Sequence, residues 1–317
     1  MDYNRFLERP IRLTSTIGED QIYTVPSGAT LRAVATDLQD KGIISNRDYL
    51  LWMAKFQTPQ VVVKAGEYSL RSEMVPQELL THLAGGDVVQ YPLTLIEGMT
   101  FSEIRLRLAA REALEQQLPA MSDTEVRQAL AVSYTSLEGL FYPETYHYSR
   151  GMSDLQLLRR AKQKMDAYLE QQWADKGESL PLKSPYEVLI MASIIEKETG
   201  NAAERPEISG VFNRRLQKGM KLQSDPTVIY GMGKAFHGNL RRVDLKRDTP
   251  YNTYTRHGLP PSPIALPGGD AIHAALHPLP GKSLYFVGKG DGTHHFSANL
   301  KEHNSAVYRY QIKRVRE

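Results

Sequence analysis

The chain has 317 residues, of which 41% are hydrophobic and 24% are charged, a balance typical of a globular protein of about two domains. The formal net charge of +3 is too small to indicate nucleic-acid binding, and basic residues are mixed with acidic ones throughout. The absence of cysteine excludes disulfide bonds and thiolate metal ligands. No run reaches the roughly 18 apolar residues that a membrane-spanning helix needs.

Three segments in the first third of the chain share one spacing of turn and apolar residues. Residues 28–38 are repeated at 98–108, and a weaker copy lies at 75–83. Each follows a strand-like run, so each predicts a strand, a turn and an amphipathic helix. In both full copies, a threonine two residues after the glycine is the expected N-cap. We therefore expect residues 21–92 to form a small βα domain with one core, the third copy leading into a second domain.

A long apolar helix is predicted over residues 185–199. Ser184 is the expected N-cap, a proline fits the first helical position, and Glu187 would complete a capping box. Gly200 is the expected C-cap.

Two glutamates occupy the last turn of this helix, where the helix dipole disfavours negative charge. At about 100° per residue, Glu198 projects among Met191, Ile194 and Ile195, whereas Glu196 projects from another face. Burial and the dipole would both raise the pKa of Glu198. A carboxylic acid that stays protonated near neutral pH is what cleavage of a glycosidic bond requires. An ordinary solvated helix end is the alternative that the pattern leaves open.

Further candidate residues lie in loops and aromatic segments. Glu138 and Glu144 belong to an aromatic-rich segment and could pair with Glu198, although such segments also bury single acids against tyrosines. Three histidines between residues 294 and 303 form no metal-ligand motif, so we expect no metal ion and no cofactor. Many of the 17 tyrosines lie in Pro- and Gly-rich loops, where they could stack on sugar rings or pack between domains.

Five sequence runs occur in the order and near the spacing of one protein family. They are LEGLFYPETY, ASIIEKETG, GVFNRRLQKGMKLQSDPTVIYGMG, YNTYTRHGLPPSPIALPG and HHFSANLKEHN, and they span residues 137–304. The chain thereby resembles the MltG (YceG-like) family of endolytic murein transglycosylases. The resemblance implies an α+β fold with a small LysM-like βα subdomain at residues 21–92. A mixed, helix-rich YceG-like catalytic domain would follow at residues 93–317.

The resemblance also implies a reaction and a set of site residues. The catalytic residue would be Glu198, which precedes threonine in the run EKET. The implied enzyme is a lyase that cleaves the MurNAc-β-1,4-GlcNAc bond without water and leaves a 1,6-anhydroMurNAc end. The implied substrate-binding residues are Gln223, Asp225, Tyr230, Asn252 and Tyr254, with Glu144 and Tyr146 as second choices.

Two other functions stay open at this point. One is a water-using muramidase in which Glu138 or Glu144 assists Glu198. The other is a non-catalytic protein that binds or scaffolds the cell wall.

A location and partners follow from the resemblance as well. It implies a single-pass protein of the bacterial inner membrane whose catalytic portion lies in the periplasm. The implied partners are peptidoglycan glycan strands and cell-wall synthases, and no nucleic acid. The expected N-terminal anchor is absent from this sequence, so residues 1–20, which are polar and irregular, are interpreted as a flexible juxtamembrane stub.

Overall fold

The structure is a computed structural model that describes residues 2–13, 20–57, 61–177 and 179–313. Its contacts define two compact units. The first comprises the residues up to 93 together with 112–115 and 147–153, and the second comprises 94–111, 116–146 and the residues from 154 onward. The boundary predicted between residues 92 and 93 lies one residue from the first division. Nothing in the sequence pattern indicates the two short segments that join the first unit.

The secondary structure is dominated by helices. In chain order the first elements are α1 (Tyr3–Glu8), β1 (Gln21–Val25), α2 (Leu31–Asp40), α3 (Arg47–Gln57), β2 (Gly66–Leu70), α4 (Pro76–Gly85) and β3 (Tyr91–Thr94). The next are α5 (Phe101–Ala109), α6 (Asp123–Ala129), β4 (Thr145–Tyr148), α7 (Asp154–Ala174), α8 (Pro185–Glu198), α9 (Arg205–Gln217) and α10 (Asp225–Met232). The last are α11 (Arg242–Lys246), α12 (Gly269–Leu276), β5 (Tyr285–Gly288), β6 (His294–Ser297) and α13 (Leu300–Val307).

Short helical segments complete the list. Three 3-10 helices lie at Leu118–Ala120, Ala202–Glu204 and Gly233–Ala235, and α13 continues into a π-helical segment, Tyr308–Lys313. The described strands pair as β1–β2, β3–β4 and β5–β6, each a two-stranded sheet. The predicted mixed, helix-rich α+β fold is therefore confirmed. Within the described ranges, no helix combines the length and the apolar character that crossing a membrane requires.

The first unit is built around one hydrophobic core beside the antiparallel pair β1–β2. Alternate residues of β1, Tyr23 and Val25, point into this core, as the two-residue period of a strand requires. The helices α2 and α4 add their periodic apolar side chains Val34, Leu38, Leu79 and Leu83, with Leu31 packed against them. The shared core predicted from the repeated spacing is confirmed, whereas the LysM-like character of this unit stays a prediction.

The start of the chain differs from the flexible stub predicted for residues 1–20. Residues 3–8 form α1, and Phe6 is 1% exposed in the core of the first unit, where Ile11 is also buried. The sequence hides this because α1 has only six residues, too few for Tyr3, Phe6 and Leu7 to establish a helical period. Residues 14–19 lie outside the described residues.

The predicted helix N-caps are formed. The Thr30 hydroxyl accepts a hydrogen bond from the backbone N–H of Ala33 at 3.2 Å. The Thr100 hydroxyl accepts one from the backbone N–H of Glu103 at 3.3 Å, and the Glu103 carboxylate accepts the Thr100 backbone N–H in return. The repeated spacing thus encodes two helix starts of the same kind.

Helix α8 lies at the centre of the second unit. Residues 188–195 are all buried, and the helix packs against α7, α9, α10 and α12. The Ser184 hydroxyl accepts the backbone N–H of Glu187 at 3.3 Å, as predicted. The Glu187 carboxylate, however, accepts from the backbone N–H of Lys183 at 2.6 Å, so the predicted reciprocal capping box is only half formed.

The C-terminal end of α8 differs from the prediction that Gly200 caps it. The helix ends at Glu198, and Thr199 is the C-cap in an extended conformation, with φ −146° and ψ 135°. Thr199 is 4% exposed, so a buried β-branched residue leads the chain straight out of the helix, with no left-handed glycine turn. Glu198 is therefore the last helical residue of a buried helix.

A substitution at Gly139 would measure how tightly the core of the second unit is packed around this residue. Gly139 has φ +76°, and a Cβ there would lie 2.5 Å from Pro263 Cβ. We expect Gly139→Ala to lower the free energy of unfolding by about 2–5 kcal/mol, because left-handed strain and overpacking add. Gly258 has φ +81° with no atom within 4 Å of the built Cβ. Gly258→Ala should therefore lose only the conformational part, about 1–2 kcal/mol, in denaturant titrations. Equal losses would contradict this account of Gly139.

Candidate active site

A cavity of about 490 Å³ lies beside the C-terminal end of α8. Its lining includes Glu198 from α8, Arg215 from α9, the segment of Gln223 and Asp225, and Tyr254, and β5 and α13 provide further residues. The described lining residues include two carboxylates, those of Glu198 and Asp225. The structure therefore brings Gln223, Asp225 and Tyr254 together with Glu198, as the sequence predicts.

Glu198 has the environment of a carboxyl group that holds its proton. Burial raises its pKa from an ordinary 4.5 to about 7, and the negative charge of Asp225 adds to the rise. The Ser224 hydroxyl, which donates to Glu198 Oε1 at 2.5 Å, and the positive charge of Arg215 act in the opposite direction. Burial dominates, so the Glu198 carboxyl group holds its proton well above the pH at which an ordinary glutamate loses it.

Ser224 is held in place by a network of buried hydroxyls. Its backbone N–H donates to Thr253 Oγ1 at 2.9 Å, and its carbonyl accepts the Thr227 hydroxyl at 2.7 Å. The hydroxyls of Thr227 and Thr253 are themselves 2.8 Å apart. Every other polar group of Ser224 is thus occupied, and its hydroxyl is directed at Glu198.

The sequence analysis missed Ser224, although a signal exists. A serine immediately before Asp-Pro at a helix start would ordinarily cap that helix. Ser224 is the N-cap residue of α10 by position, yet its side chain makes no capping hydrogen bond. The hydroxyl that would cap the helix donates to Glu198 instead.

Arg215 is the second residue that the sequence analysis missed. Only 6% exposed, it donates from Nη1 to the Leu222 carbonyl and from Nε to the Leu284 carbonyl, both at 2.7 Å. Its guanidinium carbon lies 5.1 Å from the centre of the Tyr285 ring, within cation–π range. Arg215 thus joins α9, β5 and the segment before Gln223. In the sequence, Arg215 is one of two adjacent arginines near the end of a helix, and this pattern predicts only a charged, solvent-exposed helix face.

Gln223 and Tyr254 are held in restricted geometries. Gln223 has φ +52°, a left-handed conformation that a residue with a side chain adopts at an energetic cost. Its backbone N–H donates to the Thr253 carbonyl at 3.1 Å. The Tyr254 hydroxyl donates to Asp225 Oδ1 at 2.5 Å, and burial and this carboxylate raise the Tyr254 pKa above its usual range. Asp225 is thereby fixed at the cavity wall.

Asn252 lies outside the lining, in contrast to the predicted substrate-binding role. Its side chain is 0% exposed, and its amide donates to the carbonyls of Arg247 at 2.7 Å and Leu245 at 3.1 Å. Its Oδ1 accepts the backbone N–H of Tyr254 at 2.8 Å. Asn252 therefore shapes the loop that presents Tyr254, because a fully buried amide cannot contact a glycan.

Tyr230, Glu144 and Tyr146 also lie away from the cavity of Glu198. The Glu144 carboxylate pairs with Lys164 at the surface, and the buried Tyr146 hydroxyl donates to the Tyr142 carbonyl at 2.7 Å. Tyr230 lines a different cavity, of about 360 Å³. These three predicted substrate-binding residues are thus placed elsewhere, since motif order along the chain does not fix which cavity a side chain lines.

Glu138 shares this second cavity with Tyr230. The Tyr230 hydroxyl donates to Glu138 Oε2 at 3.0 Å, and the backbone N–H of Phe101 donates to Oε1 at 2.8 Å. Burial raises the Glu138 pKa to about 7. Glu138 therefore joins α5 to α10 and does not line the cavity of Glu198, contrary to the carboxylate pair considered from the sequence.

Glu196 occupies a different environment from Glu198. Its Oε1 accepts from Arg205 Nη2 at 3.1 Å, and its Oε2 accepts the backbone N–H of Gly268 at 3.0 Å. The Glu196 side chain is 7% exposed and that of Arg205 is 8% exposed. Burial nevertheless raises the Glu196 pKa, so desolvation outweighs the arginine. Both carboxylate oxygens are engaged in holding the loop before α12 against α8.

We expect Glu196→Gln to be destabilising. The glutamine keeps a carbonyl acceptor but removes the charge that faces buried Arg205, and its amide nitrogen cannot accept the Gly268 N–H. Losing charge-assisted bonds of this kind costs about 1–3 kcal/mol. Denaturant titration at neutral pH measures this loss, and Glu170→Gln, at an exposed glutamate of α7, is the control. A Glu196→Gln variant as stable as the parent would contradict the structural role.

One of the three histidines between residues 294 and 303 is paired with a glutamate. His294 Nδ1 lies 2.7 Å from Glu204 Oε2, and the His294 backbone N–H donates to Glu204 Oε1. In the ranges that the structure describes, no group of three or more His, Asp or Glu side chains could hold a metal ion.

Comparisons with known proteins place this chain in a family. The sequence profile of the YceG-like family matches residues 23–309. The chain belongs to the YceG-like family, which confirms the predicted resemblance. The endolytic murein transglycosylase of Bacillus subtilis (strain 168) is 32% identical over 305 residues, covering 90% of this chain and 83% of that protein.

Two further proteins show the extent of the similarity. The endolytic murein transglycosylase of Streptococcus pneumoniae serotype 2 is 28% identical and is matched over 89% of this chain, which spans 57% of that relative's length. A crystal structure of a YceG-like protein from Listeria monocytogenes superposes with a TM-score of 0.58 at 28% identity, covering 90% of this chain and 98% of that one.

Proposed function

We propose that the chain is a peptidoglycan lytic transglycosylase, with Glu198 as its catalytic acid and base. The observation that carries the proposal is the environment of the Glu198 carboxyl group. This group has a pKa of about 7, lines the cavity of about 490 Å³ and accepts a hydrogen bond from the Ser224 hydroxyl. A carboxyl group with a pKa near the working pH can donate a proton in one step and accept one in the next. Family membership and the names of the matched relatives support the same activity.

In the first step, the protonated Glu198 carboxyl donates its proton to the glycosidic oxygen between MurNAc and GlcNAc. The bond from MurNAc C1 to this oxygen breaks, and GlcNAc leaves with a 4-hydroxyl. The new Glu198 carboxylate still accepts the Ser224 hydroxyl, and the positive charge of Arg215 favours it. Both groups therefore stabilise the ionised form that exists between the two steps.

In the second step, the Glu198 carboxylate accepts the proton of the C6 hydroxyl of the same MurNAc. The C6 oxygen bonds to C1 and closes a 1,6-anhydro ring, so no water is consumed and Glu198 regains its proton. Because the nucleophile belongs to the substrate, no second carboxylate has to activate water or form a glycosyl-enzyme intermediate. Asp225 then acts by keeping the pKa of Glu198 high.

The mass of the product tests this proposal. We expect uncrosslinked glycan strands treated with the protein to yield new ends that are lighter than a reducing end by one water. Glu198→Gln removes the exchangeable proton at nearly constant size and should lower the cleavage rate by about 10²–10⁴-fold or more. Mass spectrometry identifies the ends, and thermal melts check that the variant is folded.

Glu196→Gln, assayed at a temperature where it is folded, is the matched control, since it changes the neighbouring glutamate of the same turn. It should cleave with much of the parent rate. Loss of activity in Glu196→Gln with activity retained in Glu198→Gln would transfer the catalytic role to Glu196. If the wild-type protein cleaves no glycan, the non-catalytic scaffold becomes the better account.

A water-using muramidase is the second candidate, and one observation favours it. Asp225 is a carboxylate in the same cavity as Glu198, and Tyr254 holds it in place. A second carboxylate could activate water or form a glycosyl-enzyme intermediate. The assistants considered from the sequence do not fit as well, because Glu144 pairs with Lys164 at the surface and Glu138 lines another cavity. Products that end in ordinary reducing sugars would identify this reaction.

Asp225→Asn separates the electrostatic role of Asp225 from a direct chemical one. The negative charge of Asp225 raises the pKa of Glu198, so its removal should lower that pKa. Glu198 then loses its proton at a lower pH, and the alkaline limb of the pH profile of kcat/KM should move down by up to about one pH unit. Activity at acidic pH should be largely retained. Loss of activity at every pH would indicate that Asp225 takes part in the chemistry and would favour the muramidase.

We also propose the cellular setting that the resemblance implies. The catalytic portion would act on nascent glycan strands in the periplasm, beside the inner membrane and the cell-wall synthases. The first unit would act as a LysM-like glycan-binding module. Support for this setting comes from the family resemblance, and fractionation of cells that express the full-length protein tests it.

A further inference from the structure

The last helical segment of the described chain has two sides with different surroundings. On one side, Leu300, His303 and Asn304 line the cavity of Glu198. On the other side lies an open cleft of about 790 Å³, here called the basic cleft, lined by Leu300, Lys301, Asn304, Ser305, Tyr308, Arg309 and Lys313. Leu300 and Asn304 belong to both linings. The basic cleft therefore adjoins the candidate active site across a single helix.

The side chains of the basic cleft are exposed, and their charge has one sign. Lys301, Arg309 and Lys313 are cationic, and the described part of the lining includes no carboxylate. Lys313 already has another interaction partner. Tyr308 is 56% exposed and Leu300 is 55% exposed, so apolar surface separates the cations. Glu302, the acidic residue between Leu300 and Lys313, has a carboxylate that accepts the Ala298 backbone N–H at the start of α13. The Glu302 carboxylate is therefore held at the start of α13, and Glu302 is not among the described lining residues.

The π-helical segment shapes this surface. Helix α13 gives way at Tyr308 to six residues of π-helix, a conformation that is rare in proteins. Its i→i+5 hydrogen-bond pattern sets Tyr308 and Lys313 one turn apart, and Arg309 projects beside them. The lining thus combines one aromatic ring with two cations on adjacent turns.

We propose that the basic cleft binds the acidic peptide stem of the peptidoglycan strand that is cleaved at Glu198. The proposal rests on the proposed function, which places a MurNAc in the adjoining cavity. MurNAc carries the peptide on its lactyl group, so the peptide must leave the cavity close to the bond that is broken. The peptide bears free carboxylates, which complement Lys301 and Arg309, and methyl-bearing residues, which suit Tyr308 and Leu300.

The neutral part of the glycan is a poorer match for this surface. Sugar rings are recognised by hydrogen-bonding groups and by aromatic faces, and they carry no charge that would pair with Lys301 or Arg309. An acidic peptide gains from each cation, and the gain falls as salt screens the exposed charges. The cleft therefore makes this protein selective for glycan that still carries peptides.

A binding experiment tests the proposal without relying on cleavage. In the full chain carrying Glu198→Gln, fluorescence anisotropy compares a labelled GlcNAc–MurNAc disaccharide that carries an acidic peptide with a peptide-free one whose lactyl carboxyl group is capped as a neutral amide. We expect K301Q/R309Q to raise the Kd of the peptide-bearing probe roughly three- to ten-fold, as loss of two exposed ion pairs would. The Kd of the peptide-free probe should stay within about two-fold, and added salt should weaken only the peptide-bearing probe.

A matched control removes two positive charges elsewhere. Lys218 and Lys282 are exposed lysines of the same unit that line neither the basic cleft nor the cavity of Glu198. K218Q/K282Q should bind both probes like the parent. An equal loss in this control would mean that net charge alone attracts the peptide, and the proposal would be wrong.

Cleavage assays separate failure of this inference from failure of the proposed function. With active protein, K301Q/R309Q should raise KM for peptide-bearing strands and leave kcat and the cleavage of amidase-treated, peptide-free strands within about two-fold. If the parent cleaves neither strand type, the proposed function is wrong. The binding experiment alone then decides whether the basic cleft binds the acidic peptide. Cleavage of both types with no selective effect of K301Q/R309Q overturns the inference and leaves the function standing.

Two other results would overturn the proposal. One is that the peptide-bearing and peptide-free probes bind the parent equally. The other is that K301Q/R309Q loses binding to phosphatidylglycerol vesicles while its affinity for the peptide-bearing probe is unchanged. The second result would assign the cleft to an anionic lipid surface.

Discussion

The candidate active site of the second unit depends on one constraint. Helix α8 is buried on nearly all sides, and its last residue, Glu198, places a carboxyl group at the wall of the cavity. Residues 188–195 of α8 are buried, so the direction and position of the last turn are fixed by packing on four sides. The position of the Glu198 backbone is fixed by the same packing, because Glu198 is the last residue of this helix. Desolvation by the same packing raises its pKa to about 7. The core thus supplies both the position and the protonation state that acid catalysis needs.

The groups around Glu198 come from distant parts of the chain and hold one another. Ser224 donates to Glu198, and Thr253 and Thr227 hold Ser224. Arg215 binds the carbonyl of Leu222, two residues before Ser224, and so fixes the same segment from the other side. These side chains donate and accept in fixed directions, so the site is ordered before any substrate arrives. The strained φ of Gln223 is tolerated within this network, as expected where surrounding bonds determine the backbone.

Much of the architecture could be predicted from the sequence, whereas half of the candidate site could not. Apolar periodicity and caps identify α2, α5 and α8, because these features are local. Glu198 follows from helical projection, which the buried stripe of α8 makes reliable. Ser224 and Arg215 look like a capping serine and a surface arginine, and only long-range packing shows what they contact. For the same reason Asn252 looks like a site residue but is a buried loop anchor.

The catalytic arrangement carries a cost in stability at the pH where it would work. Glu198 and Glu138 both have folded-state pKa values of about 7, above the ordinary 4.5, because both are desolvated. The folded protein therefore binds these protons more tightly than the unfolded chain does. Their contribution to stability is fully present below about pH 4.5 and is lost as the pH rises through 7. Near neutral pH the buried residues of α8 and its neighbours must offset this loss, and the eight consecutive buried residues 188–195 of α8 contribute to that compensation.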